Sequence, residues 1–267
     1  MLNLVSHAIK DSLVALGTPG FSDWKGSVII YNIAKPNEGA SIFYYGSDGI
    51  AYIGYSVTFG KFFSDMEIAA GAPRSLDTGC KCGEQFGEYY GASVLAVDIN
   101  NDNYDDLIVG APFYSPIKSQ RGDSGRIFVY MSRGSKFDQA DMISIDRNPG
   151  ARFGSAISNV GDLNYDGYNV GAPYEDNGKG AVYIYHGRRD GLVKHYSQRI
   201  SASTHLHTFN LKGFGSSLSP GSDVDGNNYP DLLVGSYLSE TAILLRFVYI
   251  LTTVSSSHYA VQTSQTL

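Results

Sequence analysis

The sequence predicts an all-β fold built from a repeated unit of about four strands. Three kinds of motif support this fold class: a Gly-x-Pro triplet at the end of apolar runs, an aromatic or aliphatic residue followed by Gly, and Gly followed by a β-rich run. Glycine and proline between β-branched and aromatic runs are typical of strands joined by turns. No apolar pattern with a helical period persists, which argues against helical repeats.

Each motif recurs along the chain in the same order. The strand-ending triplets are Gly17-Thr18-Pro19, Gly71-Ala72-Pro73, Gly110-Ala111-Pro112 and Gly171-Ala172-Pro173, with a weaker copy at Gly235-Ser236-Tyr237. The unit-leading pairs are Ile53-Gly54, Tyr90-Gly91, Phe153-Gly154 and Phe214-Gly215. The β-rich runs follow Gly26, Gly125 and Gly180. A period of roughly 60 residues with about four strands fits the blades of a β-propeller.

One unit is shorter than the others. Gly54 and Gly91 are much closer in sequence than Gly91 and Gly154. After Pro73 the sequence reads RSLDTGCKCGEQ, where the other units have a β-rich run. We therefore expect this unit to lack a strand pair and to have a poorly protected edge.

Composition and charge exclude several classes of function. The chain has 267 residues and a net charge of -6, and its acidic residues cluster in loops, which argues against nucleic acid as a partner. No apolar run approaches the ~18 residues of a transmembrane helix, and the N-terminus lacks a signal-peptide pattern. P-loop, G-x-S-x-G and HExxH motifs are absent, so we expect a protein that is not an enzyme.

Three acidic loops share a spacing that suits calcium. Oxygen-bearing side chains at positions 1, 3, 5 and 9, with a backbone carbonyl at position 7, can surround a hard cation. Position 6 is Asn103, Gly167 or Asn228, which all tolerate the positive φ of a sharp turn. The flanks are strand-like and position 12 is not Glu, so an EF-hand is excluded. The predicted ligands are Asp98, Asn100, Asp102, Tyr104 and Asp106; Asp162, Asn164, Asp166 and Tyr168; and Asp223, Asp225, Asn227, Tyr229 and Asp231.

The second loop departs from this pattern. After Asn169 the chain passes directly to Val170, so three residues are missing, among them the position-9 carboxylate. We expect the following strand to be shortened and calcium binding to be weakened. The sequence thus predicts two intact calcium loops and one degraded loop, and it leaves open whether the degraded loop binds.

These motifs together resemble the FG-GAP β-propeller of integrin α subunits. The resemblance covers roughly residues 11–246 and includes GTPGFSDWKG, YIGYSVTFGKF, GEYYGASVLAVDINNDNYDDLIVGAPFYS and DVDGNNYPDLLVGSYLSETAILLR. It implies a partial propeller, residues 1–246, with about five of seven blades, one of them truncated. The expected blades are about 11–50, 51–85, 86–148, 149–208 and 209–246, followed by a non-matching tail at 247–267.

The resemblance implies a subunit of a cell-adhesion receptor. It would pair with an integrin β subunit, bind an extracellular-matrix or cell-surface ligand, and lie at the extracellular face of the plasma membrane. The calcium loops would be structural clasps. Trp24 matches a turn that faces ligand in relatives, and packing as a hairpin anchor is the alternative for it. Tyr90, Phe153 and Phe214 match positions near the β subunit, for which core packing is the alternative.

The sequence is compatible with two other functions. FG-GAP repeats also occur in soluble scaffold or lectin-like proteins. They also form the non-catalytic propeller of phospholipase D-like enzymes, in which a separate catalytic domain precedes the repeats. Association with an integrin β subunit would separate the adhesion function from both.

Overall fold

The computed structural model describes residues 6–45, 49–75, 83–85, 87–116, 122–144, 149–159, 167–188, 193–250 and 258–266. These residues form antiparallel sheets joined by turns and short helical segments, which confirms the all-β fold class. The chain divides into two compact units, Met1–Val97 with Asn103–Pro149, and Asp98–Asp102 with Gly150–Leu267. None of the described helices is long and apolar enough to cross a membrane.

The described residues of the first unit form three sheets. Its strands are β1 Ser6–Lys10, β2 Leu13–Thr18, β3 Ser27–Asn32, β4 Ala40–Tyr45, β5 Val57–Gly60, β6 Glu67–Ala70, β7 Ser93–Val97, β8 Asp106–Ala111, β9 Arg126–Tyr130 and β10 Asp141–Ser144. Strands β1 to β4 form one sheet in chain order, β5 pairs with β6, and β7 to β10 form a second four-stranded sheet. The helical segments here are α1 Phe21–Trp24 and a 3-10 turn at Pro36–Glu38.

In the second unit, the part of the chain that the structure describes forms two four-stranded sheets. Its strands are β11 Ala156–Asn159, β12 Gly167–Ala172, β13 Ala181–His186, β14 Gln198–Ser201, β15 Phe214–Leu218, β16 Leu232–Ser236, β17 Thr241–Ile250 and β18 His258–Thr266. Each sheet is a meander in chain order. The helical segments are α2 Glu175–Gly178 and 3-10 turns at His207–Phe209 and Tyr237–Ser239.

Successive sheets of each unit pack face to face through apolar side chains. In the first unit, Ala15 and Val28 pack against Val57 of the two-stranded sheet, and Leu107 and Val109 of β8 belong to a core that includes Phe62. In the second unit, side chains of β13 and β14 form one core with side chains of β15, β16 and β17. Alternation along each strand directs one set of side chains to each neighbouring layer.

Close backbone contacts explain two of the repeated glycine motifs. A Cβ atom added to Gly17 would lie 2.0 Å from the carbonyl oxygen of Gly54, and one added to Gly171 would lie 2.0 Å from that of Gly215. The glycine of the Gly-x-Pro triplet therefore meets the leading glycine of the next repeat. A side chain at either triplet position would displace the backbone of the neighbouring sheet.

The sheet boundaries differ in detail from the sequence prediction. Strand β1, at Ser6–Lys10, precedes the expected start of the first blade and pairs with β2. The segment at 247–267 was expected to be a non-matching tail, and within it β17 continues to Ile250 and pairs with β18 in the last sheet. The unit expected to lack a strand pair has two strands, β5 and β6, among its described residues.

The predicted shortening of the strand after Asn169 is wrong. Strand β12 has six residues, as has β8. Because three residues are missing, Gly167, Tyr168 and Asn169 lie in the strand itself and not in the preceding loop.

Candidate metal centre

The third acidic loop brings three carboxylates together. Oxygen atoms of Asp223, Asp225 and Asp231 all lie within 4.8 Å of one another. Asp223 and Asp225 are exposed in the turn, whereas Asp231 is buried immediately before β16. Such a group of hard oxygen atoms at the edge of a sheet is a ligand set that suits calcium.

Backbone hydrogen bonds hold this loop in a tight turn. The carboxylate of Asp223 accepts hydrogen bonds from the backbone N–H groups of Gly226 and Asn228 at 2.7 and 2.9 Å, and its Oδ1 accepts one from Asn227 at 3.1 Å. Oδ1 of Asp225 accepts a further bond from the Asn227 N–H at 3.2 Å. The turn is therefore shaped by its own carboxylates.

The pKa of Asp223 reflects this geometry. Desolvation acts to raise it, but the backbone N–H groups of Asn228, Gly226 and Asn227 lower it, and the net pKa lies below the ordinary value of 3.8. The carboxylate is therefore ionised at neutral pH, as a calcium ligand must be.

Asp231 connects the loop to two further backbone positions. Its Oδ1 accepts a hydrogen bond from the N–H of Phe247 in β17 at 3.1 Å, and its Oδ2 accepts one from the N–H of Val224 at 3.0 Å. The side-chain amide of Asn227 donates to the carbonyl of Phe247 at 3.0 Å. The loop is thus hydrogen-bonded to β17, the third strand of its own sheet.

The first loop shares two internal hydrogen bonds with the third loop, at the same positions. The N–H of Asp102 donates to Oδ1 of Asp98 at 3.1 Å and to Oδ1 of Asn100 at 3.2 Å. The equivalent bonds in the third loop run from Asn227 to Asp223 and to Asp225. The amide of Asn100 also donates to Oδ2 of Asp102 at 3.0 Å.

Asp106 has the same role at the start of β8 that Asp231 has before β16. Its side chain is buried, and its Oδ1 accepts a hydrogen bond from the N–H of Ser132 at 2.7 Å. Ser132 follows β9, the third strand of that sheet, just as Phe247 lies in the third strand of the last sheet. The position-9 carboxylate is therefore both a candidate ligand and a contact between the second and third strands.

The turn residues at position 6 follow the sequence prediction in these two loops. Asn103 has φ of 69° and Asn228 has φ of 66°. Tyr104 and Tyr229, whose carbonyl groups were predicted as position-7 ligands, lie between the turn and the strand. In both loops, the chemistry of the donors and the shape of the turn fit calcium.

The second loop lies largely outside the described part of the chain. Asp162, Asn164 and Asp166 are not among the described residues. Tyr168 is described and lies in β12, opposite Asn159 of β11 and Tyr185 of β13. The prediction that Tyr168 lies in the loop is therefore wrong. Because the loop is three residues shorter, Tyr168 lies in the strand, and its ring stacks on that of Tyr185 with 5.0 Å between the ring centroids.

The four residues assigned to partner-facing surfaces occupy different environments. Trp24 is 51% exposed and its ring lies 5.5 Å from that of Tyr52. Tyr90 is half-buried and its hydroxyl contacts that of Tyr130 at 2.7 Å. Phe153 and Phe214 have no exposed surface, so a partner-facing role for their rings is corrected to core packing. Among the four, Trp24 alone presents a large exposed side chain.

The sequence did not identify the backbone partners of the closing carboxylates. Ser132 and Phe247 have unrelated side chains, because only their backbone N–H groups donate to the closing carboxylates. The signal that could have found them is positional: each stands seven residues after the residue that leads the third strand, Gly125 or Glu240.

Comparison with known proteins agrees with this architecture. The FG-GAP repeat matches residues 90–130 and 214–242. Integrin alpha-4 of Xenopus laevis is 35% identical over 270 residues, which cover 91% of this chain and 25% of the relative. Integrin alpha-PS5 of Drosophila melanogaster is 36% identical over 300 residues, with 99% and 30% coverage, and integrin alpha-3 of Cricetulus griseus is 37% identical over 268 residues, with 90% and 25% coverage.

The chain spans about a quarter of the length of these relatives, or slightly more. The matched FG-GAP segments contain the first and third acidic loops, with the strands that flank them. Together with the repeated antiparallel sheets, these similarities identify the chain as part of an FG-GAP β-propeller of the integrin alpha-subunit type.

Proposed function

We propose that this chain is a calcium-stabilised part of the head of an adhesion receptor. The observation that carries the calcium part is the repeated loop geometry: Asp98 and Asp223 each accept the backbone N–H of the residue four positions later, and each loop ends in a buried aspartate. A solvent-exposed turn with no bound ion does not require oxygen atoms at these positions. Their presence in two loops of different sequence therefore favours a shared ligand. The similarity to integrin alpha subunits supports the receptor part.

In this proposal calcium is held by oxygen atoms of each intact loop. In the third loop these come from Asp223, Asp225, Asn227 and Asp231, and from the carbonyl of Tyr229. In the first loop they come from Asp98, Asn100, Asp102 and Asp106, and from the carbonyl of Tyr104. A bound cation supplies positive charge that offsets the repulsion between neighbouring carboxylates, so binding stabilises the fold.

The partners follow from the family and are part of the proposal. The chain pairs with an integrin β subunit at the extracellular face of the plasma membrane, and together they bind a matrix or cell-surface protein. The chain has no enzymatic role. The exposed ring of Trp24 is the side chain that we assign to ligand contact.

A calcium titration followed by thermal unfolding tests the metal role. The melting temperature should rise with calcium concentration, because a ligand that binds only the folded state stabilises it. Asp223→Asn should reduce the rise, whereas Asp65→Asn, at an exposed aspartate outside the three loops, should leave it unchanged. A melting temperature that does not respond to calcium would contradict the proposal.

Co-precipitation with an integrin β subunit tests the receptor role. The chain should bind the β subunit in calcium-containing buffer. Trp24→Ala should reduce binding of a matrix ligand to the pair, while Ile33→Ala, at another exposed apolar residue, should not. Failure to bind any β subunit would favour a soluble FG-GAP scaffold over an adhesion receptor.

A further inference from the structure

We infer that the second acidic loop, residues 162–170, does not hold calcium, and that the chain binds two calcium ions and not three. This inference rests on the proposed calcium role of the other two loops. It follows from the position of Gly167, Tyr168 and Asn169 in the sheet formed by β11 to β14.

Strand register shows which residues are equivalent. Gly110 of β8 and Gly171 of β12 both belong to Gly-Ala-Pro triplets, so counting back from them aligns Asp106 with Gly167. The cross-strand partners agree, since Leu107 lies opposite Tyr130 and Tyr168 lies opposite Tyr185. Glycine therefore occupies the place of the closing carboxylate.

The contact made by that carboxylate is absent as well. Asp106 accepts the N–H of Ser132, and Asp231 accepts the N–H of Phe247. The equivalent residue after β13 is Gly187, and Gly167 has no side chain that could accept its N–H. The second loop thus lacks both functions of the position-9 residue.

The backbone ligand at position 7 is lost too. Tyr104 and Tyr229 precede their strands, but Tyr168 lies within β12, paired with β11 on one side and β13 on the other. The carbonyl groups of a central strand are directed at neighbouring strands, where they accept ladder hydrogen bonds. Two of the five oxygen positions that define the intact loops are therefore missing.

Buried polar atoms show that the strand has been filled by loop residues. Asn169 stands where β8 has Ile108, and neither atom of its buried amide has a hydrogen-bond partner among the described residues. The hydroxyl of Tyr168 is also buried, and no partner for it lies in the part of the chain that the structure describes. Buried positions of a central strand usually have apolar side chains, because buried polar groups need hydrogen-bond partners. Tyr168 and Asn169 are instead residue types of a calcium loop, although they lie in a strand.

Native mass spectrometry of the folded chain with calcium tests the inference. Two bound ions are expected. Asp98→Asn and Asp223→Asn should each reduce the number by one, whereas Asp162→Asn should leave it at two. Three bound ions, or a loss caused by Asp162→Asn, would overturn the inference and leave the calcium role intact; no bound ion would overturn the calcium role itself.

An insertion provides the converse test. Adding Asp-Leu-Ile after Asn169 restores the length of the first loop and its closing carboxylate, and should raise the number of ions to three. The matched insertion Ala-Leu-Ile restores the length without the carboxylate and should leave it at two. A third ion with both insertions would show that length alone is limiting and would contradict the role assigned to Gly167.

Discussion

The Oδ1 atom of Asp231 accepts a hydrogen bond from the backbone N–H of Phe247, 3.1 Å away in the neighbouring strand. Both groups are buried, so neither has water as an alternative partner. The same carboxylate lies within the acidic cluster of the third loop. A single side chain therefore ties the predicted cation site to the hydrogen bonding of the sheet.

Asp231→Ala should destabilise the chain even without calcium. It leaves the N–H groups of Phe247 and Val224 without their acceptor, and such a loss costs about 1–3 kcal/mol. Asp231→Asn retains one acceptor and should cost less. Urea unfolding in the presence of a chelator measures both variants.

With calcium present, both variants should lose the same part of the calcium-induced stabilisation, because neither has the charge. Equal unfolding free energies for the two variants in chelator would contradict the role of the hydrogen bonds. Full calcium response in Asp231→Asn would contradict the role of the charge.

Asn169→Leu should stabilise the chain. The substitution removes two buried polar atoms that have no partner among the described residues, and each such unsatisfied atom costs about 1–3 kcal/mol. It also places an apolar side chain opposite Ile184 in the core. Denaturant unfolding measures the gain. Leu233 occupies the equivalent position of the last sheet and is 41% exposed, so Leu233→Asn, the reverse exchange, should change the unfolding free energy little. A destabilised Asn169→Leu variant would show that the amide has a partner in solution.

Gly171→Ala should destabilise the chain strongly. Its Cβ atom would lie 2.0 Å from the carbonyl oxygen of Gly215, which is backbone and cannot rotate away. We expect a loss of more than about 2 kcal/mol, since overpacking and backbone shifts cost this much in well-packed interiors. Gly49→Ala is the control, because a Cβ atom there meets nothing within 4 Å. Equal melting temperatures for the two variants would contradict the close approach.

The stability of the chain should fall as pH rises through the pKa of Glu88. Burial raises the pKa of this carboxyl above its ordinary value of 4.5, although the N–H groups of Gln85 and Glu84 and the charge of Arg126 lower it. The folded state therefore keeps a proton that the unfolded state releases, so the unfolding free energy decreases between pH 4.5 and the raised pKa.

Glu88→Gln removes this titration. The difference in unfolding free energy between the variant and the parent chain should therefore grow in favour of the variant as pH rises through that window. Chemical unfolding at several pH values, with calcium held constant, measures the difference. A difference that shrinks with rising pH would contradict the direction of the shift.

Much of the fold was predictable because glycine and proline mark the repeats. Gly17 and Gly171 are needed where backbones of successive sheets meet, and this need leaves a motif in the sequence. The turns of the first and third loops could also be predicted from the sequence. They are shaped by carboxylates such as those of Asp98 and Asp223, and aspartate is identified directly from the sequence.

What the sequence could not reveal is how β12 accommodates the missing residues. A shorter loop can either shorten the strand or move its own residues into it. Six residues of β12 pair with β13. A shorter strand would leave several buried backbone N–H and C=O groups of β13 without partners, whereas the longer strand buries a single side-chain amide. The sheet therefore keeps its length and takes up Asn169, a choice set by tertiary pairing and not by local preference.

The contact between Gly171 and Gly215 also changes what counts as one repeat. In sequence, the triplet closes one unit and the leading glycine opens the next. In space they form one junction: a Cβ atom on Gly171 would lie 2.0 Å from the carbonyl oxygen of Gly215, and one on Gly215 would lie 2.7 Å from the carbonyl oxygen of Ala181. The structural module that includes this junction therefore runs from the second strand of one sheet, β12, to the first strand of the next, β15.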